Sequence, residues 1–377
     1  MIQNPGMLLT ILAFVAVIGP LVFVHELGHY LVGRWCGVKA ETFSIGFGPE
    51  LAAWTDRRGT RWRLAAFPLG GYVKFKGDMN AASQTDPAWL EMSARDRAES
   101  FPAKPLWQRA LIVAAGPAIN FLFAIVILAA FALTYGESRT PAVAGQVQAG
   151  SVAADAGIQA GDRIVSLGGR RMDTFDDIRL YAQIRPGEAV EIVIERDGKR
   201  IAREGRIGSV SETDGFGNQF RVGRLGLAPG EPVIEPVGLL RAPVVAVERT
   251  GQIVRTMVET LAQIVGGGRS VKELGGPLKI AEVSGQAATL GLQSFVFFMA
   301  LISINLGFIN LLPIPMLDGG HLLFYGVEAV QRRPVSPRAQ EWAYRSGLAV
   351  LLTMMVLVTF NDLSSFGLWD SLSGLIG

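Results

Sequence analysis

His25-Glu26-Leu27-Gly28-His29 places two imidazoles four residues apart with a carboxylate next to the first. On an α-helix residues four apart share a face, so both rings can aim a nitrogen at one metal ion while Glu26 stands beside it as a proton acceptor. The chain has only three histidines. The third, His321, closes a second polar cluster, Asn310-Leu-Leu-Pro313-Ile-Pro315-Met-Leu-Asp318-Gly-Gly-His321. Two imidazoles and one carboxylate make the open three-ligand set of hydrolytic zinc sites, with a fourth position left for water. Zinc in such a site draws the pKa of water towards ~7 and polarises a carbonyl, and a neighbouring carboxylate takes the water's proton and hands it to the leaving amine. His25, His29 and Asp318 are therefore the candidate ligands of one Zn2+ ion, and Glu26 is the candidate base. His321 either supports Asp318 from outside the ligand set or caps a helix.

These residues need a scaffold, and the composition indicates which kind. Half of the 377 residues are hydrophobic and only 18% are charged, a balance that fits a polytopic membrane protein better than a soluble enzyme. A formal net charge of +2 gives no basic field, and no nucleic-acid-binding motif occurs, so nucleic acid is excluded as a partner. The single cysteine, Cys36, excludes an internal disulfide and a cysteine zinc cluster and reads as a small residue at a helix end. No lysine or arginine precedes Arg34, so the first apolar run lacks the basic start of a cleaved signal peptide and reads as a retained span.

In chain order, residues 1–36 form transmembrane helix 1 and end in the histidine motif. Gly19-Pro20 lies ahead of it, either as an incidental kink or as a break that lines a cavity. Residues 37–78 change to short alternating pieces, Glu41–Gly46, Leu51–Thr55, Thr60–Phe67 and Gly71–Lys76, with a hairpin turn at Asp56-Arg-Arg-Gly59. They predict a small β-sheet. A polar loop with a short helix covers 79–106, and helix 2 covers 107–135, entered through Gly116-Pro117-Ala-Ile-Asn120. An asparagine within a span needs a partner, so Asn120 is expected to bond another helix or the β segment.

Residues 138–226 read as a soluble α/β module. Ala156-Gly-Ile-x-Ala-Gly-Asp-Arg-Ile164 is its most specific piece, followed by a helix over Phe175–Ile184 and strands over Ala189–Glu195 and Arg200–Arg206. This run resembles a bacterial PDZ domain, which binds peptide ends by strand addition. Residues 227–293 read as amphipathic helices, packed either on the membrane surface or into the module. Helix 3 is placed at 294–330 with the Asp318 cluster, its apolar span Phe295–Leu312 stopped by Pro313 and Pro315, and helix 4 at 343–362, with a short apolar tail after it. The loop Arg34–Arg109 has twelve basic and eight acidic residues, and Gln331–Arg345 has four and one. Both are therefore predicted to be cytoplasmic, which places the module on the opposite side and brings Asp318 to the depth of His25 and His29.

A peptide bond in a membrane helix is hidden, so an enzyme that attacks it must first hold it extended. The edges of the 37–78 sheet are placed to do this. The candidate substrate contacts are Gly70, Gly71 and Tyr72 on that sheet, and Asn310 and Pro313 in the second cluster; otherwise these elements only brace the helices.

Taken together, HExxH on span one, Gly-Pro-x-x-Asn on span two, Gly-Gly-Tyr-Val-Lys-Phe at Gly70–Phe75, the PDZ-like insert and Asn-x-x-Pro-x-Pro-x-Leu-Asp-Gly-Gly-His make the chain similar, over nearly its whole length, to the site-2 proteases, in particular the bacterial RseP-type branch. The resemblance implies a bacterial inner-membrane protease with its active site near the cytoplasmic side and a periplasmic PDZ domain. Its substrates would be single-pass membrane proteins, such as an anti-sigma factor already trimmed by a site-1 protease, or remnant signal peptides. It also implies that the β segment is membrane-reentrant and that His25, His29 and Asp318 are ligands, Glu26 the base and Asn310 a substrate-associated residue. Some members carry two PDZ domains in tandem, whereas one is found here. The expected fold is thus a polytopic α-helical membrane protein with four transmembrane helices, a membrane-associated β-sheet and an inserted PDZ-like α/β domain. Two other classes make different demands: a catalytically silent PDZ scaffold predicts a damaged HExxH or no third ligand, and a zinc transporter predicts polar residues along several spans.

Overall fold

The computed structural model describes residues 6–78, 92–213, 219–266 and 275–365. Residues 79–91 of the expected polar loop and the tail beyond Ser365 lie outside the described residues. Two compact units are formed, one of residues 1–128, 246–257 and 271–377, the other of 129–245 and 258–270.

The first unit starts with α1 (Met7–Trp35), which runs through Pro20 without a break. Next come β1 (Ala40–Thr55), β2 (Arg61–Phe75), the short α2 (Ala94–Ala98) and α3 (Leu106–Tyr135). α1, α3, α8 (Leu292–Asn310) and residues 338–360 of α10 (Pro337–Ser365) are long and apolar enough to cross a membrane. Leu8, Leu12, Leu122, Val126, Val356 and Leu357 point outward, each more than half exposed. Such surfaces are stable only where the surroundings are lipid.

The four expected strand pieces are present, joined into two long strands. Thr42–Ile45 pairs on one side with Gly71–Lys74 and on the other with Arg61–Leu64, which in turn pairs with Ala52–Thr55. Gly71–Phe75 is thereby an outer edge, with no strand on its far side among the described residues. The turn forms because Asp56 Oδ1 accepts the Arg58 and Thr60 N–H groups while its Oδ2 accepts Trp62 Nε1–H, at 2.8–3.0 Å. Phe43, stacked on Trp62 at 4.4 Å, packs with Tyr30, Val73, Phe75 and Ile112 to fix the sheet on α1 and α3.

Two expectations need correction. The 294–330 segment, assigned to one transmembrane element, is two helices, α8 and α9 (Asp318–Gln331), and the first stops at Pro313 and Pro315 as expected, since they lack the N–H groups that would continue it. Asp318 is thus the first residue of a helix, not the last of a span. The 227–293 stretch is also not uniformly helical. α6 (Ala242–Val265) follows two strands, and α7 (Pro277–Thr289) packs against α1 in the membrane unit, burying the small residues Ser284, Gly285 and Ala287. The amides of Gly276 and Lys279 donate to Asp362 of α10, which caps α7.

The second unit holds the module. β5 (Arg163–Leu167), β6 (Arg170–Arg171), β7 (Ala189–Arg196) and β8 (Lys199–Arg206) form a sheet in the order β6-β5-β7-β8. Val190, Ile192 and Ile194 alternate inward from β7 and pack on Ile164, Leu167 and Ile178, the last from α5 (Phe175–Gln183). Thr174 and Asp177 close a capping box on α5. The expected boundary at 226 falls short. β11 (Leu227–Pro229) pairs with β4 (Ala144–Val147), and β12 (Val233–Glu235) pairs with β3 (Glu137–Arg139), so the module runs to Glu235. Three-residue strands carry too little alternation to be seen in a sequence. The hairpin of β9 (Gly208–Thr213) and β10 (Gln219–Arg224) and the short α4 (Val152–Asp155) complete it.

Candidate active site

α1 presents His25 and His29 on one face, with their rings edge to face at 4.8 Å. The two Nε2 atoms lie 3.2 Å apart, and Asp318 Oδ2 lies 3.2 Å from the first and 3.4 Å from the second. Metal bonds of 2.0–2.1 Å at tetrahedral angles would hold ligand atoms about 3.3 Å apart, so the triangle has the size of one face of a zinc tetrahedron. Asp318 Oδ2 is buried and receives no hydrogen bond. Lone pairs that converge with no proton between them are stabilised by a cation, and the residues fit the metal implied by their types.

α3 holds the rings from behind. His29 Nδ1 is 2.9 Å from the Ile112 carbonyl oxygen, which can accept only a donated proton. His25 Nδ1 is 3.1 Å from the amide of Asn120, a fully buried residue whose own carbonyl accepts the Ser303 hydroxyl of α8. A Cβ on Gly116 would lie 2.2 Å from His29 Nε2 and 2.9 Å from His25 Cε1. Only glycine lets α3 pass this close to both rings. Gly28 serves the same approach from the other side, where a Cβ would meet the Ala115 carbonyl oxygen at 2.5 Å.

Glu26 is buried on the flank of the triangle, against the edge strand. A Cβ on Gly71 would come within 3.0 Å of Glu26 Cγ and 2.9 Å of Val22. Gly70, Gly71, Tyr72 and Asn310 line one cavity of about 410 Å³ with His25, Glu26, His29 and Asp318. The Asn310 amide makes no hydrogen bond among the described residues. Pro313 does not reach this cavity: it lies exposed in the turn between α8 and α9. In that turn Met316 takes φ +86°, a conformation costly for a residue with a Cβ, two positions before Asp318. His321 is buried at the cavity wall but outside the triangle, with Nδ1 3.2 Å from the Tyr344 hydroxyl of α10.

Asn120 bonds another helix as expected, here through His25 of α1, but that partner and the contact of Gly116 with both rings were not read from the sequence. The signal was available, since Gly116 and Asn120 are themselves four apart and share one face of α3.

The family model for peptidase family M50 matches residues 13–354. A protein of Agrobacterium fabrum titled "Putative zinc metalloprotease Atu1380" is 43% identical over 370 residues, covering 94% of this chain and 96% of its own. Metalloprotease MmpA of Caulobacter vibrioides is 36% identical over 395 residues, covering 98% and 99%. Among solved structures, the PDZ domain of an SdrC-like protein from Listeria monocytogenes is similar over 24% of this chain and 87% of its own, at 19% identity and a TM-score of 0.19. On the family match and the full-length relatives, the chain belongs to peptidase family M50, the zinc-dependent site-2 metalloproteases.

Proposed function

We propose that this metalloprotease is an intramembrane endopeptidase in which His25, His29 and Asp318 hold one zinc ion and Glu26 is the general base. The observation that carries the reading is the 3.2–3.4 Å triangle of Nε2, Nε2 and Oδ2 beside a buried carboxylate. Bound zinc supplies a Lewis acid that acidifies water and polarises a carbonyl. Glu26, flanking the triangle, takes the proton of the attacking water and delivers it to the leaving amine. An unwound segment lies along the open edge at Gly70–Tyr72 by strand addition, and the unpartnered Asn310 amide orients its carbonyl.

The substrate class that fits is a single-pass membrane protein shortened by a site-1 protease, of which an anti-sigma factor is one kind and a remnant signal peptide another. The charge bias of the loops supports an inner-membrane location with the site near the cytoplasm and the module outside. In the module, a cavity of about 590 Å³ runs between Phe175, Ile178 and Ala182 of α5 and Leu225–Ala228, a position suited to a peptide end. Glu26→Gln should keep its zinc and lose cleavage of a model transmembrane substrate by several orders of magnitude, and Asp318→Ala should lose both. Cleavage by either variant at the wild-type rate would overturn the assignment. The Glu26→Gln protein, expressed in its native membrane, then traps the natural substrate for identification.

A further inference from the structure

Where α1 ends, five cationic side chains converge on one cavity of about 600 Å³: Arg34, Lys39, Arg58, Lys76 and Arg95. They come from the last turn of α1, the two ends of the β-sheet, its hairpin turn and α2. The frame beneath them is fixed by backbone hydrogen bonds. Lys39 N–H donates to Glu99 O, Lys76 N–H to Lys39 O and Phe101 N–H to Lys76 O, each at 2.9 Å. Two carboxylates share the cavity, Asp96 and Glu99, and Lys76 pairs with both. Arg34, Lys39, Arg58 and Arg95 form no ion pair among the described residues. Five cations against two carboxylates leave an excess of three positive charges in one concavity, and an anion that enters offsets their mutual repulsion.

The depth of the cavity indicates where the anion comes from. Glu26 is the only Asp, Glu, Lys or Arg from Met7 to Gly33, so Arg34 is the first permanent cation on the span. Trp35 beside it is 79% exposed, and Trp107, in the first turn of α3, is 63% exposed. Indoles on membrane helices sit at headgroup level. The α3 end lies alongside, since a Cβ on Gly37 would be 3.5 Å from Lys104 Nζ. Phosphate is the chemistry that suits such a site, supplied by a lipid headgroup or by free phosphate. We infer that this cavity binds the phosphate of an anionic phospholipid in the leaflet where α1 ends, tying the hairpin turn to the helix that carries the histidines. The inference stands apart from the catalytic assignment.

The test uses the full chain, stripped of lipid in a zwitterionic detergent and titrated with phosphatidylglycerol or phosphatidylcholine, with bound lipid counted by native mass spectrometry. Each cation near an anionic headgroup contributes about fivefold in affinity, so Lys39→Gln/Arg58→Gln/Arg95→Gln should bind phosphatidylglycerol on the order of a hundredfold more weakly than wild type. Phosphatidylcholine binding, zinc content and thermal midpoint should be unchanged. Arg58→Gln alone, on an exposed turn, should lose about fivefold and serves if the triple variant misfolds. Arg332→Gln/Arg333→Gln, between α9 and α10, should bind as wild type does. Equal phosphatidylglycerol binding by wild type and the triple variant, or an equal loss in the Arg332/Arg333 variant, overturns the site. Displacement of the lipid by an equal concentration of inorganic phosphate overturns the lipid as its source.

Discussion

Asn120 shows how much of a metal site lies outside its ligands. A histidine that offers its Nε2 lone pair carries the remaining proton on Nδ1. The atom facing His25 Nδ1 at 3.1 Å must then accept, which calls for the amide oxygen of Asn120. Turning the amide over gives Oδ1, otherwise buried without a partner, its hydrogen bond. Asn120→Ala should weaken zinc binding about 10- to 100-fold, measured by competition with a chelator, while Asn120→Asp, which keeps an acceptor, should stay near wild type. Equal losses in the two would assign Asn120 to packing alone. At this scale the sequence was most legible for the ligands, because HExxH spacing encodes its own geometry. It was least legible for Asn120 and Gly116, whose partners lie on a different helix.

At the scale of elements, the alternation of short apolar and polar pieces revealed the sheet, and the uninterrupted apolar runs revealed the spans. The break between two helices at Leu311–Leu317 was visible as a pair of prolines, and the left-handed Met316 was not visible at all, since methionine carries no such preference. In the module, the loop into β5 is joined to the end of β7 by Arg196, which donates to both oxygens of Asp162 at 2.6–2.7 Å, while the Gln159 N–H donates to the same carboxylate. The Arg196 hydrogen bonds hold the Asp162 carboxyl below its ordinary 3.8. A carboxylate favoured by folding contributes stability that is fully present above that ordinary value and is lost as the pH falls through the lowered one. Asp162→Asn should therefore cost about 2 kcal/mol at neutral pH and flatten the loss of stability below pH ~4, read as amide exchange across β5 and β7. A variant curve parallel to wild type at every pH would refute the role.

For the whole molecule, composition was enough to predict four apolar spans around a soluble insert, because burial in lipid and burial in a soluble core select different residues; the PDZ-like character of the insert was read from its resemblance at Ala156–Ile164. The extent of the insert was not legible: its last strands are too short to show a period, and α7 looks as amphipathic as a soluble helix while packing on a membrane one. The described module suggests a direct intervention. Replacing residues 140–232 with a short Gly/Ser turn keeps β3 and β12 as a hairpin. The shortened chain should retain zinc at wild-type stoichiometry, measured by elemental analysis. Loss of zinc would mean that the insert is needed to fold the metal site.

The pairing of β3 with β12 also bears on ancestry. Glu137 sits opposite Glu235 and Arg139 opposite Val233, so the chain enters and leaves the module at neighbouring points. A domain whose two ends meet can be gained, lost or duplicated by recombination at a single locus, leaving the sequence of the spans untouched. One such neck would let related genes carry one PDZ domain or two in tandem around the same metal centre.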